Sequence, residues 1–173
     1  DSFLEGPSFD RAGNLYVTDI PFGRVFRIDP QGDWTLVTEY DGWPNGLKVH
    51  KDGRIFITDY KRGIVLLDPA TGKVTPLIET RGSESFKGVN DLFFAANGDL
   101  YFTDPPYGLP KQYDDPRREL DFCGVYRLSK SGELTLLTNE MTRPNGIAFS
   151  PDEKFLYVAQ SDPKAAIWKK FPV

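Results

Sequence analysis

The strongest constraint on this chain is a phrase that it repeats. Gly13-Asn14-Leu15-Tyr16-Val17-Thr18-Asp19 recurs as Gly53-Arg54-Ile55-Phe56-Ile57-Thr58-Asp59 and as Gly98-Asp99-Leu100-Tyr101-Phe102-Thr103-Asp104. Lys154-Phe155-Leu156-Tyr157-Val158-Ala159-Gln160 is a weaker fourth copy. Counted from Thr18 to Thr58, Thr103 and Ala159, the spacings are 40, 45 and 56 residues. β-rich repeats of about 40–50 residues are the mark of propeller blades. Each repeat divides into four short β-branched and aromatic runs. In the second these are Leu47–His50, Arg54–Ile57, Gly63–Leu67 and Val74–Ile78, with Gly, Asp and Pro between them. Such runs read as strands joined by tight turns. A β-sandwich uses similar strands, but it does not require the same phrase three or four times. The expectation is therefore an all-β chain: a β-propeller, with about three and a half to four blades present, as part of a six-bladed ring. Ring closure removes exposed strand edges. The first copy lacks a preceding outer strand and the fourth ends near its third strand. Residues 1–173 are expected to be a partial propeller domain, cut within the repeat array at both ends. Remaining blades or a self-association partner would cover the edges.

Composition narrows the chemistry. The chain is 39% hydrophobic and 27% charged, an ordinary globular balance. No run approaches the ~20 apolar residues of a membrane helix. The net charge is −4 and the pI about 5.1. A phosphate-backbone binder would instead carry a basic patch. Neither nucleic acid nor membrane is an expected partner. One cysteine, Cys123, excludes an intrachain disulfide, and with the single His50 it excludes most zinc sites. Any metal would be held mainly by oxygen. No leader is visible, so the expected compartment is the cytoplasm, or the periplasm should a leader have been removed.

Aligning the repeats isolates four polar residues. Thirteen residues before Thr18, Thr58 and Thr103 lie Glu5, Asn45 and Asn90. Fourteen before Ala159 lies Asn145, which fits one extra residue in the turn Ser150–Lys154. Each precedes Gly or Asp and then an apolar run. The position is the start of a blade's innermost strand, and innermost strands surround a propeller's channel. One carboxylate and three amides would thus face one hole. Their oxygens are hard ligands suited to Ca²⁺ or Mg²⁺. The competing explanation is turn chemistry, because Asn tolerates the left-handed conformation that Asn-Gly turns use. The loops after Asp19, Asp59 and Asp104 would overhang the hole. The third is long, from Pro105 to Leu120, and reads either as a substrate-contacting element or as a solvated insertion. The three aspartates themselves read as turn caps.

Leu4-Glu5-Gly6-Pro7, Gly88-Val89-Asn90-Asp91-Leu92 and Arg143-Pro144-Asn145-Gly146-Ile147-Ala148-Phe149-Ser150 resemble the gluconolactonase family, which includes senescence marker protein (regucalcin). Tyr101-Phe102-Thr103-Asp104-Pro105-Pro106-Tyr107-Gly108, followed by Glu119–Tyr126, resembles its bacterial and fungal gluconolactonase branch. The resemblance covers essentially the whole chain. It implies a six-bladed propeller that holds a divalent cation, most often Ca²⁺ with Mg²⁺, Mn²⁺ or Zn²⁺ as alternatives. It implies Glu5, Asn90 and Asn145 as ligands. It implies Asn45 as a wall or substrate contact, and Trp43, Tyr107 and Arg143 as pocket contacts, although Trp43 equally suits blade packing. The family's aspartate, at once ligand and general base or nucleophile, would lie beyond Val173. The implied reaction is lactone hydrolysis: the cation polarises the carbonyl, water attacks, and the ring opens to a hydroxy acid. Asp91 is not assigned a catalytic role, because strand alternation turns its side chain away from that of Asn90. Two alternatives stay open: a phosphotriesterase on the same scaffold, and a calcium-holding propeller without turnover.

Overall fold

The computed structural model describes residues 1–173. Strands and three short 3-10 turns make up its regular structure, with no α-helix. The chain divides into two compact units, Asp1–Glu79 and Thr80–Val173. The fold class is all-β and of the propeller type, with four successive antiparallel meanders as its blades.

Unit 1 holds two four-stranded sheets. The first runs β1 (Leu4–Phe9), β2 (Leu15–Asp19), β3 (Arg24–Ile28), β4 (Trp34–Glu39). The second runs β5 (Pro44–Val49), β6 (Ile55–Asp59), β7 (Gly63–Leu67), β8 (Val74–Ile78). Tyr16 and Val25 of the first sheet pack with Leu47, Ile57 and Val65 of the second in one core. Unit 2 opens with a short hairpin, β9 (Thr80–Arg81) and β10 (Glu84–Ser85). A four-stranded sheet follows: β11 (Leu92–Phe94), β12 (Leu100–Asp104), β13 (Gly124–Leu128), β14 (Leu134–Thr138). The last sheet has three strands, β15 (Pro144–Phe149), β16 (Phe155–Gln160) and β17 (Ile167–Pro172). Tyr101 and Val125 pack with Ile147, Leu156 and Val158, and Phe149 meets Tyr101 edge-on at 4.8 Å.

Aspartates close the hairpins, as the sequence predicts. Asp10 accepts the N–H groups of Ala12 and Asn14, both at 2.9 Å. Asp29 does the same for Gln31 and Asp33. These are Asx turns: the short carboxylate replaces a backbone acceptor and the chain reverses without a lost bond. In the fourth blade Ser150 N–H reaches Phe155 O, one residue farther than the Asp10–Asn14 bond of the first. The extra residue inferred from the spacing is there.

The innermost strands begin earlier than their apolar runs suggest. β5 reaches back from Leu47 to Pro44. Pro44 pairs with Asp59 but Leu47 with Ile57, so three steps on one strand face two on the other. The same slip separates Glu5 from Ser8 and Pro144 from Ile147. This is a β-bulge, one extra residue that re-aims the side chains around it. Asn45 and Asn145 sit inside it, and Glu5, still paired with Thr18, is the residue that borders it. In the third blade Asn90 N–H bonds Thr103 O, and Thr103 N–H bonds Asp91 O, ahead of the paired Leu92.

Candidate functional site

In unit 1 the residues at the bulges are Glu5, at the edge of one, and Asn45, inside the other. Glu5 is half-buried and pairs with Thr18 across the sheet. Gly6 behind it takes φ +60°, and a Cβ there would stand 2.3 Å from Asn45 O. Only glycine allows that approach. Asn45 is buried and donates Nδ2–H to the Tyr60 hydroxyl at 2.6 Å. Its carbonyl accepts from Thr18 Oγ1 at 2.6 Å. Trp43 is half-buried, with its N–H on Asp59 and the Lys61 ammonium 4.9 Å from its ring centre. Stacking of this kind suits either wall packing or a ligand face.

Unit 2 contributes Asn90 and Asn145. Asn90 is buried at 4% exposure, while Asn145 is half-buried. Asn145 donates Nδ2–H to Ser161 Oγ at 3.2 Å, which leaves Oδ1 as its open acceptor. Its carbonyl accepts from Thr103 Oγ1 at 2.7 Å, matching the Thr18–Asn45 bond of unit 1. The repeated threonine therefore has a specific task. It ties one blade to the bulge of the next within each unit. Neither Asn45 nor Asn145 has positive φ; Gln112 and Glu153 are the non-glycine residues that do. Left-handed turn chemistry does not explain these asparagines.

The long segment after β12 is not a loose insertion. It folds into two 3-10 turns, Pro106–Gly108 and Gln112–Asp114. Asp115 is buried and accepts a bidentate pair from Arg117, 2.9 Å on each oxygen. That guanidinium holds the Asp115 carboxyl well below the usual range. Gly88 adopts φ +148°, and a Cβ there would meet Gly108 N at 2.3 Å. The segment thus lies directly on the strand start that carries Asn90. Tyr107 is half-buried and its hydroxyl bonds Ser161 Oγ. Tyr113 bonds the Thr142 carbonyl and lies 3.1 Å from Cys123 Sγ. Burial pushes up both the phenol and the thiol. Beside them, Arg143 is half-buried and its Nε has no hydrogen-bond partner.

The aspartates that end the second strands, and Asp91, are occupied. Asp19 accepts from Phe3 N–H at 3.0 Å. Asp59 accepts from the N–H groups of Trp43, Lys61 and Arg62 and from the Tyr40 hydroxyl. Asp104 accepts from Lys87 and Gly88 N–H. Each cap is at most 1% exposed, in keeping with the turn-cap expectation. Asp91 accepts Ile147 N–H at 3.1 Å and so braces β15. No group of three or more His, Cys, Asp or Glu side chains lies together as a metal holder. The predicted ligand set falls outside that chemistry, because two of its three members are amides.

Ser161 and Tyr60 escaped the sequence reading. Both follow the last residue of a second strand, and aligning that position across the repeats would have exposed them. Their polar character there was the missing signal.

The sequence profile of the SMP-30/Gluconolactonase/LRE-like region matches residues 3–172. The chain is 44% identical to a gluconolactonase of Zymomonas mobilis, over 91% of this chain and 49% of that protein. It is 30% identical to lactonase drp35 of Staphylococcus aureus, over 91% of this chain and 48% of that protein. The chain thus spans about half the length of these relatives. The solved gluconolactonase of Xanthomonas campestris superposes with a TM-score of 0.90 at 31% identity, covering 99% of this chain and 59% of that one. A calcium-binding regucalcin of Agrobacterium tumefaciens reaches 0.73 at 22% identity, a likeness of fold.

Proposed function

Because the chain belongs to the SMP-30/Gluconolactonase/LRE-like family, we propose that it is part of a metal-dependent lactone hydrolase. The observation that carries this reading is the family match across residues 3–172, joined to 44% identity with a gluconolactonase. Glu5, Asn90 and Asn145 are the proposed oxygen ligands of a divalent cation, Ca²⁺ first. The donor chemistry supports the assignment. Asn145 spends its Nδ2–H on Ser161 and keeps Oδ1 open, which is what a hard cation requires of an amide.

A bound cation supplies Lewis-acid polarisation of a lactone carbonyl. The chain's own residues bind and orient. Arg143, half-buried and close to Asn145 in the chain, is a proposed contact for a substrate oxygen through its guanidinium. Asn45, fixed by Tyr60, and the Trp43 face are proposed substrate contacts. Water attack requires a base. Asp19, Asp59, Asp91 and Asp104 are unsuited, since their oxygens hold backbone N–H groups. The base is proposed to come from chain beyond Val173.

The test uses the full-length protein and D-glucono-1,5-lactone, following acid release. EDTA treatment should abolish ring opening and added Ca²⁺ restore it. Glu5→Ala and Asn145→Ala should each lower it about a hundred-fold or more. Undiminished opening after complete metal removal refutes the metal role. Absence of opening with Ca²⁺ present refutes the lactonase activity.

A further inference from the structure

An amide is nearly symmetric in shape, yet only one of its ends can bind a cation. Something must decide which end faces which way. In two blades the same structural position does so. Tyr60 and Ser161 each directly follow the last residue of a second strand. Each anchors its backbone identically, Tyr60 N–H on Trp43 O at 3.0 Å and Ser161 N–H on Arg143 O at 3.1 Å. Each receives the Nδ2–H of its blade's bulge asparagine, Asn45 or Asn145. The first blade is the informative exception. There Ile20 N–H makes the same bond, to Phe3 O at 3.1 Å, but its side chain is apolar. The residue at the corresponding position is Glu5, whose two carboxylate oxygens are equivalent and need no orienting.

A lone hydroxyl would not decide the matter, because it could equally donate to the amide oxygen. Tyr107 is placed to supply the missing direction. Its hydroxyl bonds the same Ser161 Oγ that meets Asn145. A serine has one proton. Either hydroxyl can donate in that bond; with the Ser161 proton given to Tyr107, the Ser161 oxygen can only accept, and the amide then offers it Nδ2–H. In the arrangement inferred below, the relay runs Asn145 Nδ2–H to Ser161 Oγ and Ser161 Oγ–H to the Tyr107 oxygen. It leaves Asn145 Oδ1 pointing away from Ser161.

We infer that Ser161 is a positioning residue, and that Tyr107 acts through it to hold the Asn145 amide with its carbonyl oxygen presented to a cation. This rests on the proposal above that Asn145 is a ligand. It also changes the part expected of Tyr107, from contacting substrate to setting a ligand. The ordered segment after β12, which carries Tyr107, is thereby coupled to cation affinity.

The experiment is calorimetric titration of Ca²⁺ into the metal-stripped full-length protein, with thermal melting of each variant alongside. Ser161→Ala and Tyr107→Phe should each weaken Ca²⁺ binding about 10–100-fold, the usual cost of losing an outer partner of a metal ligand. Ser161→Thr keeps the hydroxyl and should restore affinity to within about threefold of the unchanged protein. The Ser161→Ala/Tyr107→Phe pair should weaken binding no more than either alone, because both act through one amide. Melting should stay unchanged for Ser161→Ala, since Ser161 is exposed. Wild-type affinity in Ser161→Ala, with binding lost in Asn145→Ala, overturns the positioning role and leaves the cation reading standing. Wild-type affinity in Asn145→Ala overturns both.

Discussion

The second and third blades place the same carboxylate at the end of their second strand and satisfy it differently. Asp59, in unit 1, is met by three backbone N–H groups and the Tyr40 hydroxyl, so every donor is neutral. Asp104, in unit 2, is met by two backbone N–H groups and by the Lys87 ammonium at 3.5 Å, itself 1% exposed. Lys87 also donates to the Phe122 carbonyl and lies 5.6 Å from the Phe122 ring centre. Burial pushes the Asp104 carboxyl up, and Lys87 and the two N–H groups pull against that. The fourth blade uses an amide: Gln160 accepts Thr142 N–H at 2.9 Å and donates to Ala165 O. The position demands a filled hydrogen-bond shell, and charge is one of several ways to fill it. Where a charge pair is used, each partner depends on the other.

That difference can be broken deliberately. Lys87→Met should be the most damaging change, at about 3–5 kcal/mol, because it strands a buried carboxylate. Asp59→Asn should cost about 1–2 kcal/mol, since the amide oxygen still accepts. Adding Asp104→Asn to Lys87→Met should recover much of the loss. Urea denaturation of the three variants checks the order. Equal costs for Lys87→Met and Asp59→Asn would erase the distinction.

A smaller effect tests what Asp104 anchors. It holds the turn at Lys87-Gly88, where Gly88 meets Gly108 of the long segment. Gly88→Ala combines an unfavourable φ with a backbone clash and should cost about 2–3 kcal/mol. It should also open residues 105–120 to protease, which limited trypsin digestion would show at Lys111, Arg117 and Arg118. Resistance equal to wild type would mean that the segment is held elsewhere.

The smallest effect is local and depends on pH. Asp115 is held low by Arg117, so its folded pKa lies below the unfolded value of about 3.9. A depressed carboxylate stabilises above the unfolded pKa and loses that contribution as pH falls. Amide exchange at Arg117, whose N–H the carboxylate accepts, should quicken progressively as pH falls below about 4 toward the lower folded value, beyond its intrinsic trend. In Asp115→Asn it should already be fast near neutrality, with no further step.

Much of this was readable from residues alone. The repeated phrase, with its Asp and Gly turn formers, implied four-stranded antiparallel meanders, because strand alternation and Asx turns are short-range chemistry. The register of Glu5, Asn45 and Asn145 also followed from counting, since strand pairing transmits a sequence offset rigidly along a blade. The sequence could not show that these residues occupy or border bulges within strands, because a bulge is defined by what lies opposite. Nor could it show that the segment after Pro105 is ordered, which depends on Asp115 finding Arg117 and on Gly88 meeting Gly108.

The amino-acid order by itself determined the blade pattern, the turn positions and the polar residue at each blade's start. Those depend on local propensity and on periodicity. The tertiary structure decided the partners: Thr18 and Thr103 on the next bulge's carbonyl, Lys87 buried on Asp104, Ser161 shared by Asn145 and Tyr107. These bonds join residues 16–54 positions apart. Which hydroxyl meets which amide at that range depends on how strands and loops pack, and a periodic sequence leaves it open.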